Sequence, residues 1–385
     1  MPQRSAAIVG VHNTAQARSL PGRTSRSLML EAVQGALADA GLRLSDVDGV
    51  SAGTDGASLV YDLDLGPAWQ GAQFGISMVL EAAAAIAAGQ ADVVLIVAAE
   101  AGVYTDRAAT APWTRPEHEF IAPWGLFTAA EFALIARRHM ITYGTTPHQL
   151  ATVAATIRTN GHRNPAAVYT GRGPFEPADV LASRMVADPF HLLDCSMTSE
   201  GGCALVLTSA RRAADLRRPP VHVLAGGSDH FGPSYRFPPS WDLRGRSSDV
   251  PNGEVGRRAF DGALRQAGIE RDDIDVLELY DPFSFEIIRQ LEAFGFCGPG
   301  EGGPFVEDGH IALDGSHPVT TDGGTMSFSH AGASPQMLQR VIRGAQQVRG
   351  ECGELQVPGA EIALCTGGGA GALFTTVALL GRHLN

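Results

Sequence analysis

Cysteine is scarce in this chain and widely scattered. Five residues, Cys195, Cys203, Cys297, Cys352 and Cys365, are spread over 385 positions. The number is odd and no Cys-x-x-Cys pair occurs, so reduced thiols in a cytoplasm fit better than a disulfide framework or a zinc site. Basic charge is also in short supply, with 29 Lys and Arg against 41 Asp and Glu and a formal charge of −12. No Lys/Arg block interrupts that balance, which argues against a nucleic-acid surface. Long apolar runs are missing too. Ala82 to Ala88 and Val93 to Ala99 are separated by Gly89, Gln90 and Asp92, and each is too short to span a bilayer. Met1-Pro2-Gln3-Arg4-Ser5 leads straight into the strand-like Ala6 to Gly10, so no signal peptide with an apolar core is expected. These absences point to a cytoplasmic protein that binds neither membrane nor nucleic acid.

What is present is an ordinary globular composition, 44% apolar and 18% charged, in a chain long enough for two domains or one duplicated one. The 46 glycines cluster where strands give way to helices, as in tight turns that approach a ligand. Residues 36–50 and 263–277 share Ala36/Ala263, Leu37/Leu264, Ala40/Ala267, Gly41/Gly268, Asp46/Asp273 and Asp48/Asp275. Each copy reads as an amphipathic helix, a Gly stop, a polar turn and an apolar strand. Chance similarity of two such units is the alternative to duplication. A second unit follows in each half. In one, a helix from about Ser77 to Ala88 stops at Gly89 before the strand Val93–Val97; in the other, a helix from about Pro335 to Arg349 stops at Gly350 before Ile362–Cys365. Apolar strands at Ala204–Leu207 and Phe374–Ala378 close the halves, and their join falls near Arg217-Arg218-Pro219-Pro220. Continuous apolar strands alternating with helices predict an α/β fold with mixed sheets covered on both faces. The expected units are residues 1–217 and 218–385. The first carries an insertion over 104–194 that holds Phe120, Phe127, Trp113, Trp124 and helices near Ala129–Tyr143 and Thr146–Asn160.

Three motifs stand in the last third: Glu278-Leu279-Tyr280-Asp281-Pro282-Phe283, then Gly323-Gly324-Thr325-Met326-Ser327-Phe328-Ser329-His330, then Cys365-Thr366-Gly367-Gly368-Gly369-Ala370-Gly371. In this order and spacing the chain resembles the thiolase superfamily, in its sterol-carrier-type branch, over nearly its whole length. The resemblance implies a duplicated, five-layered αβαβα thiolase fold whose insertion covers the site. It also implies an acyl-CoA substrate, with coenzyme A entering as part of that substrate and no covalently bound cofactor. Counting back from Ala88-Gly89-Gln90-Ala91-Asp92, the family's acyl-accepting cysteine falls at Ala72, within Gly71-Ala72-Gln73-Phe74-Gly75. None of these side chains forms a thioester, so a two-step acyl transfer has no covalent carrier. Ser77, inside the predicted helix, is a poor substitute.

Enolate chemistry remains, since it needs only oxyanion donors and a base. The resemblance gives His330 the oxyanion role, with Ser329 and Ala331 where the family has Gly and Pro. Cys365 takes the family's acid/base position. Tyr280 stands where the family has Asn or His. Followed by Asp281, it is similar to the steroid side-chain-cleaving aldolases of this fold, which also lack the nucleophile. Those enzymes carry a second tyrosine whose counterpart here is Phe328, without a hydroxyl. Each residue has an ordinary alternative: a satisfied structural histidine, a buried apolar cysteine, or a core tyrosine tied to backbone. Cys195 and Cys203, flanking Ser199-Glu200-Gly201-Gly202, read as a structural turn. His139, His148 and His162 lack metal-ligand spacing, so no metal is expected.

The resulting expectation is retro-aldol cleavage of a β-hydroxyacyl-CoA to a ketone and a shorter acyl-CoA. Tyr280, oriented by Asp281, is the base; His330 and backbone amides hold the enolate, and Cys365 or water reprotonates it. Ala72, Gln73, Gly324, Phe328, Gly367 and Gly368 line the substrate. The resemblance further implies a homodimer and a small zinc-ribbon/OB-fold partner in an α2β2 assembly. Two other readings stay open: an acyltransferase or condensing enzyme, and a non-catalytic acyl-binding scaffold.

Overall fold

The computed structural model describes residues 5–102, 128–230, 254–369 and 372–384. Trp113, Phe120, Trp124, Phe127, Ala370 and Gly371 therefore lie outside the described residues.

Chain punctuation sets the helices. In α1 (Ser25–Ala40), Thr24 and Ser27 cap each other reciprocally and Gly41 ends the helix at φ 71°. The helix α3 (Ser77–Ala88), which follows the short α2 (Gly56–Asp62), stops the same way at Gly89, φ 71°.

Among the described residues, β5 (Met185–Ala187) and β6 (Phe190–His191) pair on their own, and the other nine strands form one mixed sheet, in the order β3-β2-β4-β7-β1-β8-β11-β10-β9. On one side run β1 (Ala6–Asn13), β7 (Gly201–Ser209), β4 (Val93–Glu100), β2 (Gly49–Ser51) and β3 (Trp69–Gly71). On the other run β8 (Val221–His230), β11 (Phe374–Gly381), β10 (Ile362–Gly368) and β9 (Val276–Glu278). A parallel bridge from Leu277 to Val319 extends that second side where β3 extends the first. Read outward from β1 and β8, the two sides thus repeat one order. They are joined by only two residue pairs, Ala7–His222 and Ile8–Val221. Separate mixed sheets were the expectation; this short seam joins them because it covers an edge of β1 that β7 leaves open.

The helices complete five layers. α1 covers the first half of the sheet from outside. The middle layer holds α3 and the long helix Ala333–Arg349, whose apolar side chains share one core with Ile8 and Leu205 on one side and Ala363 and Leu380 on the other. Arg257–Ala267 and Ser284–Ala293 form the second outer layer. Over that end sits the insertion, with helices Thr128–Tyr143 and Pro147–Arg163. Its Phe132 packs on Phe283 at 4.9 Å between ring centroids, and Phe190 stacks on the same ring at 5.0 Å.

Inside the middle layer lies a charged knot. The fully buried Arg340 donates to both oxygens of Asp322, at 2.7 and 2.8 Å, and reaches Glu278 at 3.4 Å. Glu278 accepts the Thr321 hydroxyl at 2.5 Å, and Arg343 holds that same hydroxyl at 2.8 Å. Burial, and then the Asp322 charge, raises the Glu278 carboxyl above its ordinary range. Replacing Arg340 with Met strands two buried carboxylates, which is expected to cost about 3–5 kcal/mol of stability. Urea unfolding of Arg340→Met measures this, and an unchanged midpoint would contradict it.

Candidate active site

Tyr280 lies two residues past the end of β9, and its main chain is clamped from two sides. Its N–H donates to Thr366 Oγ1 at 2.9 Å, and its carbonyl accepts from Gln290 Nε2 at 2.7 Å. Thr366 Oγ1 in turn donates to Gln290 Oε1 at 2.5 Å, closing a ring of three. The tyrosine ring lies against Gly368, where an added Cβ would stand 3.0 Å from Tyr280 Cδ1. The first and third sequence motifs are thus joined directly, and the clamp keeps the phenol beside the glycine backbone.

Asp281 is engaged elsewhere. Its carboxylate accepts the N–H groups of Thr325 at 2.8 Å and Met326 at 3.1 Å, and its carbonyl accepts the Thr325 hydroxyl at 2.6 Å. Asp281 was expected to orient Tyr280; these contacts run to Thr325 and Met326. Asp281 holds instead the helical turn Gly324–Ser327. Gly324 has φ +58°, and a Cβ there would sit 2.1 Å from Asp281 Oδ2, so Gly324 is spoken for by this approach. Burial pushes the Asp281 carboxyl up to about 7, against the pull of Arg340 and the two amides.

That turn delivers Phe328, Ser329 and His330. Phe328 is buried, and its carbonyl accepts the Val168 N–H at 3.1 Å. Ser329, where the family has glycine, donates to Gln16 Oε1 at 2.6 Å. The His330 N–H donates to Ser199 Oγ at 2.8 Å, and Nδ1 lies 2.6 Å from the Met197 carbonyl. A carbonyl only accepts, so Nδ1 carries the proton and the neutral ring presents Nε2 as an acceptor. Donation from Nε2 to an oxyanion therefore requires the imidazolium.

The segment Ser196–Ser199, which leads into the structural turn read from sequence at Ser199-Glu200-Gly201-Gly202, splints both motifs. Ser196 N–H donates to the Pro282 carbonyl at 2.8 Å, and Met197 N–H donates to that of Thr325 at 3.2 Å. Arg158, buried in helix Pro147–Arg163, pins this splint by donating to the carbonyls of Leu193, Met326 and Cys195 at 2.7, 2.8 and 2.8 Å. Nothing in sequence spacing marks Arg158 or Gln290: Arg158 serves main-chain carbonyls far along the chain, and Gln290 joins the Tyr280 carbonyl to the hydroxyl of Thr366 on β10.

The loop at residue 72 holds a second surprise. Glu81, on α3, accepts the N–H groups of Ala72 at 3.0 Å and Gln73 at 3.1 Å. The main-chain amides of these two residues, which were expected to line the substrate, are therefore engaged within the protein. Gly75 donates to Ser334 Oγ at 3.3 Å, tying this loop to the segment after His330. Gly75 and Gly367 both close over Met337, where an added Cβ would meet its Sδ at 2.5 and 2.9 Å.

Cys365 departs from expectation. It lies inside β10 instead of opening a turn, fully buried in the middle-layer core, with Sγ packed against Gly344. Strand alternation sends Cys365 inward and Thr366 toward Tyr280. Burial, with the Glu278 charge adding to it, drives the thiol far above its ordinary range. A thiol so placed is a core residue and a poor proton donor to substrate carbon. Among the described residues no group of three or more His, Cys, Asp and Glu side chains has the arrangement to hold a metal. His139 instead bonds Glu292 at 2.9 Å and Thr145 at 2.9 Å, and no described helix is long and apolar enough to cross a membrane.

Comparison with known proteins follows the same lines. A family model described as thiolase C-terminal domain-like matches residues 247–382. A Mycobacterium tuberculosis protein, 17-hydroxy-3-oxo-4-pregnene-20-carboxyl-CoA lyase, is 34% identical, with 94% of this chain and 96% of that protein covered. An acetyl-CoA acetyltransferase of Methanothermobacter thermautotrophicus is 32% identical, with 94% and 95% covered. The chain superposes on a solved Ltp2-ChsH2(DUF35) aldolase with a TM-score of 0.82 and 31% identity, over 98% of this chain and 97% of that one.

The Asp281 carboxyl yields a pH test. The fold keeps its proton to about pH 7, whereas the unfolded chain releases it at about 4. Ionisation therefore works against folding, and this contribution is lost as pH rises between those values. The stability of wild type relative to Asp281→Asn should be greater at pH 5 than at pH 8. Urea midpoints at both pH values check this, and a constant or reversed difference would contradict it.

Proposed function

This chain belongs to the thiolase superfamily, in its sterol-carrier-type branch, and we propose that its site cleaves a β-hydroxyacyl-CoA by a retro-aldol step into a ketone and a shorter acyl-CoA. The observation that carries this reading is a clamped phenol beside a glycine-rich strand, with alanine where an acyl-accepting cysteine would stand. Such a site has a base and no covalent acyl carrier.

Tyr280, as phenolate, takes the proton of the β-hydroxyl. The electrons of that O–H bond form the ketone carbonyl as the bond between the α and β carbons breaks. The pair from the broken bond moves into the thioester as an enolate. His330, as imidazolium, and backbone amides hold the enolate oxygen. Water returns a proton to the α carbon, and Tyr280 releases the proton it gained to solvent. Water serves here because the Cys365 thiol is enclosed in the core. Asp281 acts through the Gly324–Ser327 turn, as a positioning residue for His330.

The substrate brings its own coenzyme A, and the proposal includes no covalently bound cofactor. A homodimer in the cytoplasm, joined by a small zinc-ribbon/OB-fold partner chain in an α2β2 assembly, completes the reading. The likeness to a solved Ltp2-ChsH2(DUF35) aldolase supports a partner of some kind. Acyl transfer is the second reading, favoured by the 32% identity to an acetyl-CoA acetyltransferase. Against it stand Ala72 and the Glu81 carboxylate, which occupies the amides at that position.

Loss of one phenolic hydroxyl tests the proposal. Tyr280→Phe should lower turnover of β-hydroxyacyl-CoAs by about 10²–10⁴-fold, while acyl-CoA binding is retained. Ketone release at the wild-type rate by this variant would contradict the role given to Tyr280. No turnover by the wild type, with intact acyl-CoA binding, would favour the scaffold.

A further inference from the structure

One buried carboxyl is left over. Glu131 stands in the first turn of helix Thr128–Tyr143, is wholly inaccessible to solvent, and has no hydrogen-bond partner for either oxygen. Other buried carboxylates among the described residues are matched. Glu286 pairs with Arg289 at 2.6 Å, Glu292 with His139 at 2.9 Å, and Asp194 with Ser284 at 2.7 Å. Asp322 and Glu278 share Arg340, and Asp281 holds two amides. Glu131 is the exception, with burial alone pushing it up to about 8.

A buried carboxyl without partners is costly, and the cost is removed if an apolar side chain of similar volume takes its place. An acid kept at such a position signals a group supplied from outside the chain. Its place in the fold narrows what that group is. The helix belongs to the insertion, and the next residue, Phe132, rests on Phe283, three residues from Tyr280. Glu131 is thus within one helical turn of the contact that joins the insertion to the segment bearing the phenol.

We propose that Glu131 is a specificity-determining residue, whose carboxyl hydrogen-bonds a polar group of the bound acyl-CoA. The group is either an amide of the pantetheine arm or a hydroxyl on the acyl chain. Both offer a donor N–H or O–H to an acceptor oxygen, and the full burial of Glu131 makes a missing partner expensive. The proposal rests on the acyl-CoA reading of the site.

Equilibrium binding tests it without depending on turnover. Decanoyl-CoA and 10-hydroxydecanoyl-CoA are titrated calorimetrically into wild type, Glu131→Gln and Glu131→Leu, and Tm is recorded for each protein alone. Glu131→Gln, which keeps a hydrogen-bonding group of the same shape, should stay within about threefold of wild-type Kd. Glu131→Leu should weaken binding by about tenfold or more, while its Tm equals or exceeds that of wild type. Weakening toward both ligands assigns the pantetheine arm; weakening toward the hydroxylated ligand alone assigns the acyl chain. Unchanged affinity of Glu131→Leu for both ligands overturns the proposal. So does a lower Tm in Glu131→Leu and also in Glu131→Met, since that outcome means the carboxyl is satisfied within the protein. Failure of wild type itself to bind either ligand would instead count against the acyl-CoA reading.

Discussion

Asp281 accepts two consecutive amides, those of Thr325 and Met326, and the site is arranged around that pairing. The pairing forces the chain after Gly323 into a helical turn, and the turn decides where Phe328, Ser329 and His330 emerge. Tyr280, one residue earlier, packs instead on the third motif. There Thr366 and Gln290 fix its main chain and Gly368 accepts its ring. One carboxylate therefore fixes the turn that presents His330, beside the residue that carries the phenol. Two N–H donors and Arg340 offset only part of its desolvation.

The middle layer explains how such a site is held. Two helices, Ser77–Ala88 and Ala333–Arg349, lie between the halves of the sheet and touch both. Each starts next to a loop of the site: Ala72–Gly75 before the first, His330–Gly332 before the second. Met337, on the second helix, is covered by Gly75 and Gly367, so the loop at residue 72 and the glycine strand share one floor. Sharing a floor lets two distant stretches of chain keep a fixed spacing without any bond between them. The insertion is fastened from above by Arg158, whose guanidinium serves three carbonyls at once.

Much of this frame is legible in the sequence, and the reason is local. Gly89 and Gly350 end their helices in left-handed conformations that other residues resist, so the stops can be read one residue at a time. Continuous apolar runs such as Val93–Val97 mark buried strands for the same reason. What escapes is set by register and by long-range main-chain partners. Cys365 looks like the opening of a turn, yet strand pairing continues to Gly368, and one step of alternation turns its thiol into the core. The Ala72 and Gln73 amides look open until Glu81, on the following helix, folds back onto them. Asp281 beside Tyr280 suggests an ion-assisted phenol, whereas three-dimensional neighbours give the carboxylate another task.

The central claim is that this thiolase-fold site breaks a carbon–carbon bond through an enolate, with no acyl group ever attached to the protein. Mass spectrometry of the intact chain and its products, during turnover of a β-hydroxyacyl-CoA in D2O, tests this directly. The account predicts a ketone and a shortened acyl-CoA carrying one solvent deuteron at its α carbon, with the protein mass unchanged. A protein heavier by the mass of an acyl group would contradict it and point to a nucleophile that Ala72 does not provide.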